Sequence, residues 1–368
     1  MKKLLIAIDN LGGGGAEKVL INLLKNLDKN KYRVTLLLLF NEGVYLKEVP
    51  PHVKINYLFN PKSTLLRKII YKLFKYFPAE IIYKKYVKET YDVEIAFLEG
   101  CTTKLISGST NPASKKIAWV HTDFSNHHWT VHYYKSDEEE KQQYKKFNDI
   151  VFVSNDSREG FETTLQLQGN HSVIYNPIDA EDIIAKAKEE KIEYKKVTVC
   201  SVGRLIKAKG FDRLINVHAR LIKEGIEHDL VLIGEGEEKE SLLQQCRQSE
   251  VSTSVHFLGF QSNPYKYVAA ADLYVSSSRA EGLPLVVAEA LILGKPVLST
   301  RCSGPVELLD NGSYGMIVEN SEEGLYQGVK QFLLNGDERK QYGELALTRR
   351  SFFDIKRILE EIEELIDR

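Results

Sequence analysis

The sequence lacks several features that would define its class at once. Its four cysteines are scattered, with no Cys-x-x-Cys pair and no histidine at ligand spacing, which favours free thiols in a reducing cytoplasm. No apolar run approaches the roughly 20 residues needed to cross a bilayer, and the short run at the N-terminus ends at Asp9. We therefore expect a cytoplasmic protein whose contact with a membrane is at most peripheral. A net charge of −1 gives no overall attraction to nucleic acid.

The chain length and the spacing of apolar residues predict two α/β domains. The 368 residues exceed what one hydrophobic core usually holds. Short apolar runs alternate with amphipathic helical stretches, which indicates βαβ units and parallel sheets. This alternation weakens between Asn176 and Lys196, where we place the domain boundary. The predicted strands are Lys3–Ile8, Val34–Phe40, Val93–Phe97, Lys116–Val120, Ile150–Ser154, Val197–Val202, Leu230–Ile233, Val255–Leu258, Leu273–Ser276 and Pro296–Ser299.

One short stretch carries the strongest chemical signal, Glu281-Gly282-Leu283-Pro284, with Glu289 following. Proline at the first helical position loses no hydrogen bond, so we expect a helix to begin near Leu283–Pro284. Its free N–H groups and dipole would form an anion site facing the turn before Gly282. A carboxylate repels phosphate, so Glu281 and Glu289 are expected to accept hydrogen bonds from hydroxyls. Phosphate and hydroxyls together indicate a nucleotide sugar, although a capped turn and a solvated helix face would also explain two glutamates.

This stretch resembles the signature of the retaining glycosyltransferases of family 4, which have the GT-B fold. The resemblance implies two doubly wound, parallel-sheet, Rossmann-like domains with a cleft between them. We expect an acceptor-binding domain over residues 1–180 and a nucleotide-sugar donor domain over residues 190–345. The resemblance further implies that a C-terminal helix within residues 346–368 crosses back to the first domain.

A second motif supplies positive charge at the end of a predicted strand. Gly203 permits a tight turn there, and Arg204 and Lys209 project from the loop that follows. The resemblance implies that this Arg and Lys grip the donor diphosphate. The sequence has no Asp-x-Asp, so we expect neither a metal site nor a cofactor, and two fixed cations could replace a metal. The alternative is a solvated basic loop that includes Lys207.

Other loops add candidate contacts on both sides of the substrate. A glycine cluster follows the first strand but is neither a P-loop nor a complete dinucleotide fingerprint. It resembles the family loop that lies beneath the donor phosphates and the acceptor. Within this loop we expect Gly14 and Gly15 to come closest to the substrate. His121 ends another predicted strand and aligns with a family histidine that binds a hydroxyl of the transferred sugar.

The second half contains three further family-like positions. Loops containing Gly234, Gly236 and Phe260 resemble those that line the nucleotide base, chiefly through the backbone. Glu307 lies in another family-like loop and is expected to brace the site without contacting the substrate.

The segment Lys62–Lys88 combines apolar and basic residues at helical spacing. Its apolar positions run from Leu65 to Phe77, and lysines and an arginine occupy the other side. A basic amphipathic helix is attracted to anionic membrane surfaces, so we expect Leu65–Lys88 to contact one. The alternative is a helix that packs on the first domain and shows its lysines to water.

The resemblance thus implies transfer of a hexose or N-acetylhexosamine from a nucleotide sugar, in our expectation a UDP sugar, to a glycan or lipid-linked acceptor. A bacterial surface-polysaccharide pathway, such as that of a capsule, would suit the basic helix. Two alternatives remain open. One is a sugar-nucleotide epimerase of the same fold, and the other is a non-catalytic partner subunit that binds glycan.

Overall fold

The computed structural model describes residues 1–60 and 63–368, which divide into two compact units. Unit 1 comprises Met1–Ile178 together with Ile355–Arg368, and unit 2 comprises Asp179–Asp354. Each unit contains one parallel β-sheet with helices between its strands, as the sequence pattern predicts.

Unit 1 is built on a seven-stranded sheet in the order β3-β2-β1-β4-β5-β6-β7. The strands are β1 (Lys2–Ile8), β2 (Tyr32–Phe40), β3 (Lys54–Phe59), β4 (Val93–Ala96), β5 (Lys115–Val120), β6 (Asp149–Phe152) and β7 (His171–Val173). The helices between them are α1 (Gly15–Asn26), α2 (Thr64–Tyr76), α3 (Ala79–Tyr86), α4 (Cys101–Ser107), α5 (Asp137–Tyr144) and α6 (Asn155–Leu165).

Unit 2 is built on a six-stranded sheet in the order β10-β9-β8-β11-β12-β13. Its strands are β8 (Thr198–Val202), β9 (Asp229–Ile233), β10 (Val255–Phe257), β11 (Leu273–Ser276), β12 (Val297–Thr300) and β13 (Met316–Val318). Its helices are α7 (Ala180–Ala187), α8 (Phe211–Lys223), α9 (Lys239–Gln248), α10 (Tyr265–Ala270), α11 (Leu285–Ile292), α12 (Ser303–Leu308), α13 (Glu322–Leu334) and α14 (Gly336–Arg349).

The last helix, α15 (Ile355–Asp367), returns to unit 1, as predicted. Its apolar residues, including Ile358 and Ile362, are buried. Lys115 donates from Nζ to the carbonyl oxygen of Leu365 at 2.6 Å, and this bond ties the helix to β5. The helix thus covers part of the surface of the first sheet.

Both sheets have a point at which the chain reverses its direction of travel across the sheet. The chain proceeds from β1 through β2 to β3 and then resumes beyond β1 at β4. In unit 2 the same reversal separates β8 from β11, which pair directly, with Tyr274 opposite Cys200. Ligands of such sheets bind outside the carboxyl ends of the strands at this switch point, which is where the predicted site residues occur.

The sequence pattern missed three strands, β3, β7 and β13. All three are edge strands, and most of their residues are partly or fully exposed. Polar residues interrupt β3 and β7, and β13 spans only three residues, so these strands lack the longer apolar run by which the others were recognised.

Candidate functional site

Two loops at the switch point of unit 2 carry most of the predicted donor-site residues. The loop after β8 contains Gly203, Arg204 and a short 3-10 turn, Lys207–Lys209. The loop after β11 leads through Glu281 into α11. Because β8 and β11 are hydrogen-bonded neighbours, these loops meet although about 70 residues separate them along the chain.

Lys209 and Glu281 form an ion pair at this meeting point. Lys209 Nζ lies 2.5 Å from Glu281 Oε1, and the Ser278 hydroxyl donates to the same oxygen. The Lys209 and Glu281 side chains are only 21% and 11% exposed. The aliphatic stem of Lys209 lies over Gly203, where a side chain would come into contact with it. Two predicted catalytic residues are therefore in direct contact, and each partly neutralises the other.

Arg204 differs from Lys209 in having no such neutralising partner. Its side chain is exposed, and within residues 1–60 and 63–368 the guanidinium makes no hydrogen bond or ion pair. An unpaired guanidinium at a strand end is available to bind an anion bidentately.

Helix α11 begins at Leu285, and Pro284 occupies its N-cap position. The sequence pattern instead predicts Pro284 as the first helical residue. The proline keeps extended backbone angles there, with φ −73° and ψ 109°. Glu289, one turn further along, is only 6% exposed, and its Oε1 accepts a hydrogen bond of 3.2 Å from the Tyr265 hydroxyl. The two glutamates thus lie in different surroundings, Glu289 inside the unit and Glu281 against a lysine.

Glycines in these loops permit close contact between neighbouring backbones. A side chain at Gly304, in the first turn of α12, would overlap the carbonyl group of Gly282. A side chain at Gly234 would overlap the carbonyl oxygen of Gly203, and Gly234 also has φ +143°. The glycines therefore fix the stacking of loops from adjacent strands, whatever contact they make with a ligand.

The remaining predicted residues of unit 2 occupy the neighbouring strand ends. Gly236 packs against the backbone of Leu205, and Phe260 is 53% exposed after β10. Glu307 lies in α12, and its backbone carbonyl oxygen accepts a hydrogen bond from Arg349. The roles of these residues in binding stay predictions.

The switch point of unit 1 carries carboxylates close to the glycine cluster. Glu17 folds back over the loop, and its carboxylate occupies the space that a side chain at Gly14 would need. Gly15 begins α1. Asp9, directly after β1, is only 7% exposed and accepts a hydrogen bond of 3.0 Å from the Tyr71 hydroxyl. Burial, reinforced by Glu17 and Glu99, raises the pKa of Asp9 to about 7.

His121 follows β5 and is held as a neutral imidazole. Burial lowers its pKa to about 4, against the opposing effect of a hydrogen bond to the Phe97 backbone. Within the described residues its Nε2 has no hydrogen-bond partner, so the bond to Phe97 involves Nδ1–H and Nε2 remains an acceptor. The fully buried Glu99 accepts the backbone N–H of His121 at 3.2 Å and fixes the start of this loop. An acceptor of this kind suits a sugar hydroxyl.

The predicted amphipathic segment forms α2 and α3, although its first residue, Lys62, lies outside the described residues. Ile70 and Phe74 enter the core of unit 1, so the expected apolar stripe is not all on the surface. The opposite side remains uncovered. We call it the α2 face, and it consists of Leu65, Leu66, Ile69 and Leu73, each at least 45% exposed, with Lys68 and Lys72 beside them.

Tyr265, Ser278, Asp9 and Glu99 were missed by sequence reasoning. Asp9 and Glu99 follow predicted strands, so their position after a strand was a usable signal. Tyr265 and Ser278 gave none, because their importance arises only from contacts with the two glutamates. No three His, Cys, Asp or Glu side chains among the described residues are arranged to hold a metal ion.

Known proteins resemble this chain over nearly its whole length. The family described as Glycosyltransferase Family 4 matches residues 13–182, and Glycosyl transferases group 1 matches residues 182–349. One relative is 31% identical over 370 residues, covering 96% of both chains. It is the N-acetylgalactosamine-N,N'-diacetylbacillosaminyl-diphospho-undecaprenol 4-alpha-N-acetylgalactosaminyltransferase of Campylobacter jejuni. Amylovoran biosynthesis glycosyltransferase AmsD of Erwinia amylovora is 24% identical, with full coverage of both chains.

Solved structures confirm the predicted GT-B fold class. Anabaena HepE in complex with UDP and glucose matches with a TM-score of 0.77 and 20% identity, covering 100% of both chains. A mutant of S. aureus TarM in complex with Fondaparinux, alpha-GlcNAc-glycerol and UDP matches with a TM-score of 0.79 and 14% identity, again with full coverage.

Proposed function

The chain belongs to glycosyltransferase family 4, with the GT-B fold, and we propose that it transfers a hexose or N-acetylhexosamine from a UDP sugar to a glycan or lipid-linked acceptor. The names of the Campylobacter and Erwinia relatives support a place in bacterial surface-glycan biosynthesis. The UDP bound to HepE and TarM supports a uridine nucleotide.

The observation that carries this proposal is the charge arrangement at the switch point of unit 2. Arg204 and Lys209 lie on the loop after β8, which contacts the loop leading into α11 through Lys209 and Glu281, and together they stabilise the negative charge that develops on the departing diphosphate. Glu289 binds ribose hydroxyls. Glu281 and His121 bind hydroxyls of the transferred sugar.

The configuration of the sugar is retained without an enzyme nucleophile. An oxygen of the donor phosphate takes the proton of the acceptor hydroxyl on the face from which the diphosphate leaves. The new bond therefore forms on the same side as the broken one. The cations at the strand ends lower the barrier by holding the diphosphate as its charge grows.

A panel of nucleotide sugars tests this function. The purified protein should release UDP slowly from one or a few UDP sugars, and faster when a lipid-linked glycan acceptor is added. NMR of the product should show that the anomeric configuration of the donor is kept. Conversion of the donor to its epimer without UDP release would instead identify an epimerase. Glycan binding with no donor consumed would identify a non-catalytic subunit.

We further propose that the α2 face binds anionic membrane and places the acceptor side of the protein at the lipid surface. Three exposed leucines and one exposed isoleucine with lysines beside them fit the boundary between headgroups and acyl chains. None of the helices in the described ranges has the length and apolar composition that a membrane-spanning segment needs. Each lysine near the lipid contributes about 1 kcal/mol, so three of them change binding by roughly a hundredfold.

Vesicle sedimentation tests the membrane proposal. Vesicles with anionic lipid should sediment the protein at low salt, and neutral vesicles should do so poorly. Changing Lys68, Lys72 and Lys75 to Gln should weaken sedimentation with little change in melting temperature. The control removes the same charge from unit 2 by changing Lys188, Lys191 and Lys195 to Gln. Equal sedimentation of the parent and the α2 variant would reject the proposal, and unfolding of that variant would assign its lysines to the fold.

A further inference from the structure

Arg279 joins the two loops that carry the ion pair of the donor site. Its backbone N–H donates to the carbonyl oxygen of Ala208 at 2.7 Å. Its Nη1 donates to the carbonyl oxygen of Lys207 at 2.7 Å and to Asp212 Oδ1 at 2.8 Å, and its Nη2 donates to Asp212 Oδ2 at 2.8 Å. Three of these four bonds come from the side chain, so one guanidinium fixes the turn that ends at Lys209.

The Arg279–Asp212 contact is an ordered ion pair and not a chance surface contact. Both carboxylate oxygens of Asp212 accept from the guanidinium, which is the geometry that only arginine provides. Burial alone would raise the pKa of Asp212, but hydrogen bonds from Arg279 and Lys207 hold it well below its usual range. Asp212 is the first acidic residue of α8, so it also suits the positive end of that helix.

Two further hydrogen bonds hold the backbone carbonyl groups of Lys209 and Arg279. The Ser277 hydroxyl donates to the carbonyl oxygen of Lys209 at 2.9 Å, and Asn320 donates to the carbonyl oxygen of Arg279 at 2.9 Å. The backbone around Lys209 is therefore held by the β11 loop from two sides. What remains adjustable is the long side chain of Lys209 itself.

We propose that Arg279, held by Asp212, is a positioning residue that aims the Lys209 ammonium at the diphosphate of the donor. The inference rests on the proposed function, since it assumes that Lys209 contacts this diphosphate. Lysine is a point charge on a flexible stem, so the direction in which it acts depends on how its backbone is held. The guanidinium of Arg279 already donates three hydrogen bonds to other residues of the protein. Its effect on the donor therefore passes through Lys209.

Calorimetry with UDP tests the proposal, with uridine as a probe that lacks the diphosphate. Arg279→Gln should weaken UDP binding roughly tenfold, which is about 1.4 kcal/mol, and leave uridine binding, measured by ligand-observed NMR, unchanged. Arg279→Lys should recover part of the loss. In a Lys209→Ala background, Arg279→Gln should have no further effect on UDP affinity, because residues that act through one another are not additive.

The control variant is Arg220→Gln, which breaks a surface ion pair with Glu323 in the same unit and should leave UDP binding unchanged. If Arg279→Gln does not fold, Asp212→Asn keeps the shape of the pair and should show the same selective loss. Equal losses for UDP and uridine, or a full loss that persists in the Lys209→Ala background, would overturn the positioning role. Failure of the parent to bind UDP would count against the proposed function, whereas an intact parent with unaffected Arg279 variants would count against this inference alone.

Discussion

Removing the charge of Glu281 should make UDP bind more tightly while it slows transfer. Lys209 Nζ lies 2.5 Å from Glu281 Oε1, so a diphosphate must compete with this carboxylate. At about 4 Å, a pair near a protein surface attracts by roughly 4 kcal/mol before desolvation is counted. Desolvation and the hydrogen bond from Ser278 offset most of that. A net competition of about 1–2 kcal/mol corresponds to UDP binding roughly five- to thirtyfold more tightly in Glu281→Gln.

Isothermal calorimetry with UDP at fixed salt measures this gain, and steady-state transfer measures the accompanying loss. Glu224→Gln is the matched control, because it breaks a Lys–Glu contact of 2.7 Å, with Lys330, elsewhere in unit 2. Glu289→Ala should behave oppositely and weaken UDP binding, since Glu289 is proposed to bind the ribose. Unchanged affinity in Glu281→Gln would remove Lys209 from the diphosphate site, and weaker affinity would make Glu281 itself a nucleotide ligand. Either result refutes the reasoning.

Three further predictions follow from single features of unit 2. Arg204→Ala should lower turnover roughly a hundredfold and EDTA should leave transfer intact, whereas strict dependence on Mg²⁺ or Mn²⁺ would contradict charge supply by side chains. Gly304→Ala should lower the free energy of unfolding by about 1–3 kcal/mol in chemical denaturation and weaken UDP binding, because the added methyl group overlaps the backbone of the loop before α11. Gly336→Ala should do neither, because its methyl group makes only ordinary contacts. Burial lowers the pKa of His218 to about 3 and also lowers that of its hydrogen-bonded partner His228. Their stabilisation is therefore complete above pH 6.5 and falls below it, by about 1.4 kcal/mol per pH unit for His218. Thermal melts should show a shallower acid slope in His218→Asn, and an unchanged slope would disprove this assignment.

The interior strands of each sheet could be predicted from the sequence, whereas three of the four edge strands could not. Strands such as β1 and β11 are buried throughout most of their length, so their apolar runs are continuous. In β3 polar residues interrupt the apolar run and most positions are exposed or partly exposed, and β13 is only three residues long, with every residue partly exposed. The same limit applies to α2, where one apolar residue in the stripe enters the core and the next remains exposed.

Candidate site residues could be predicted where a motif and a strand end coincide, as at Lys209 and Glu281. Their mutual contact could not, because it depends on β8 and β11 being neighbours, and this adjacency is set by the fold and not by local spacing. Sequence reasoning treated the lysine as a ligand for phosphate and the glutamate as a ligand for hydroxyls, each acting independently. In the structure the two side chains form an ion pair, so a donor diphosphate would compete with Glu281 for Lys209.

The electrostatics of the two switch points argue for a division of ligands between the units. In unit 1, burial raises the pKa of Asp9, and the negative charges of Glu17 and Glu99 raise it further. The same two carboxylates would repel a phosphate. His121 is neutral, and its buried Nε2 is an acceptor without a partner among the described residues, which suits a hydroxyl and gives an anion nothing to bind. In unit 2, the loop that carries the exposed Arg204 guanidinium and the Lys209 ammonium contacts the loop that leads into α11, which suits a diphosphate. We therefore expect sugar hydroxyls at the first switch point and the nucleotide at the second.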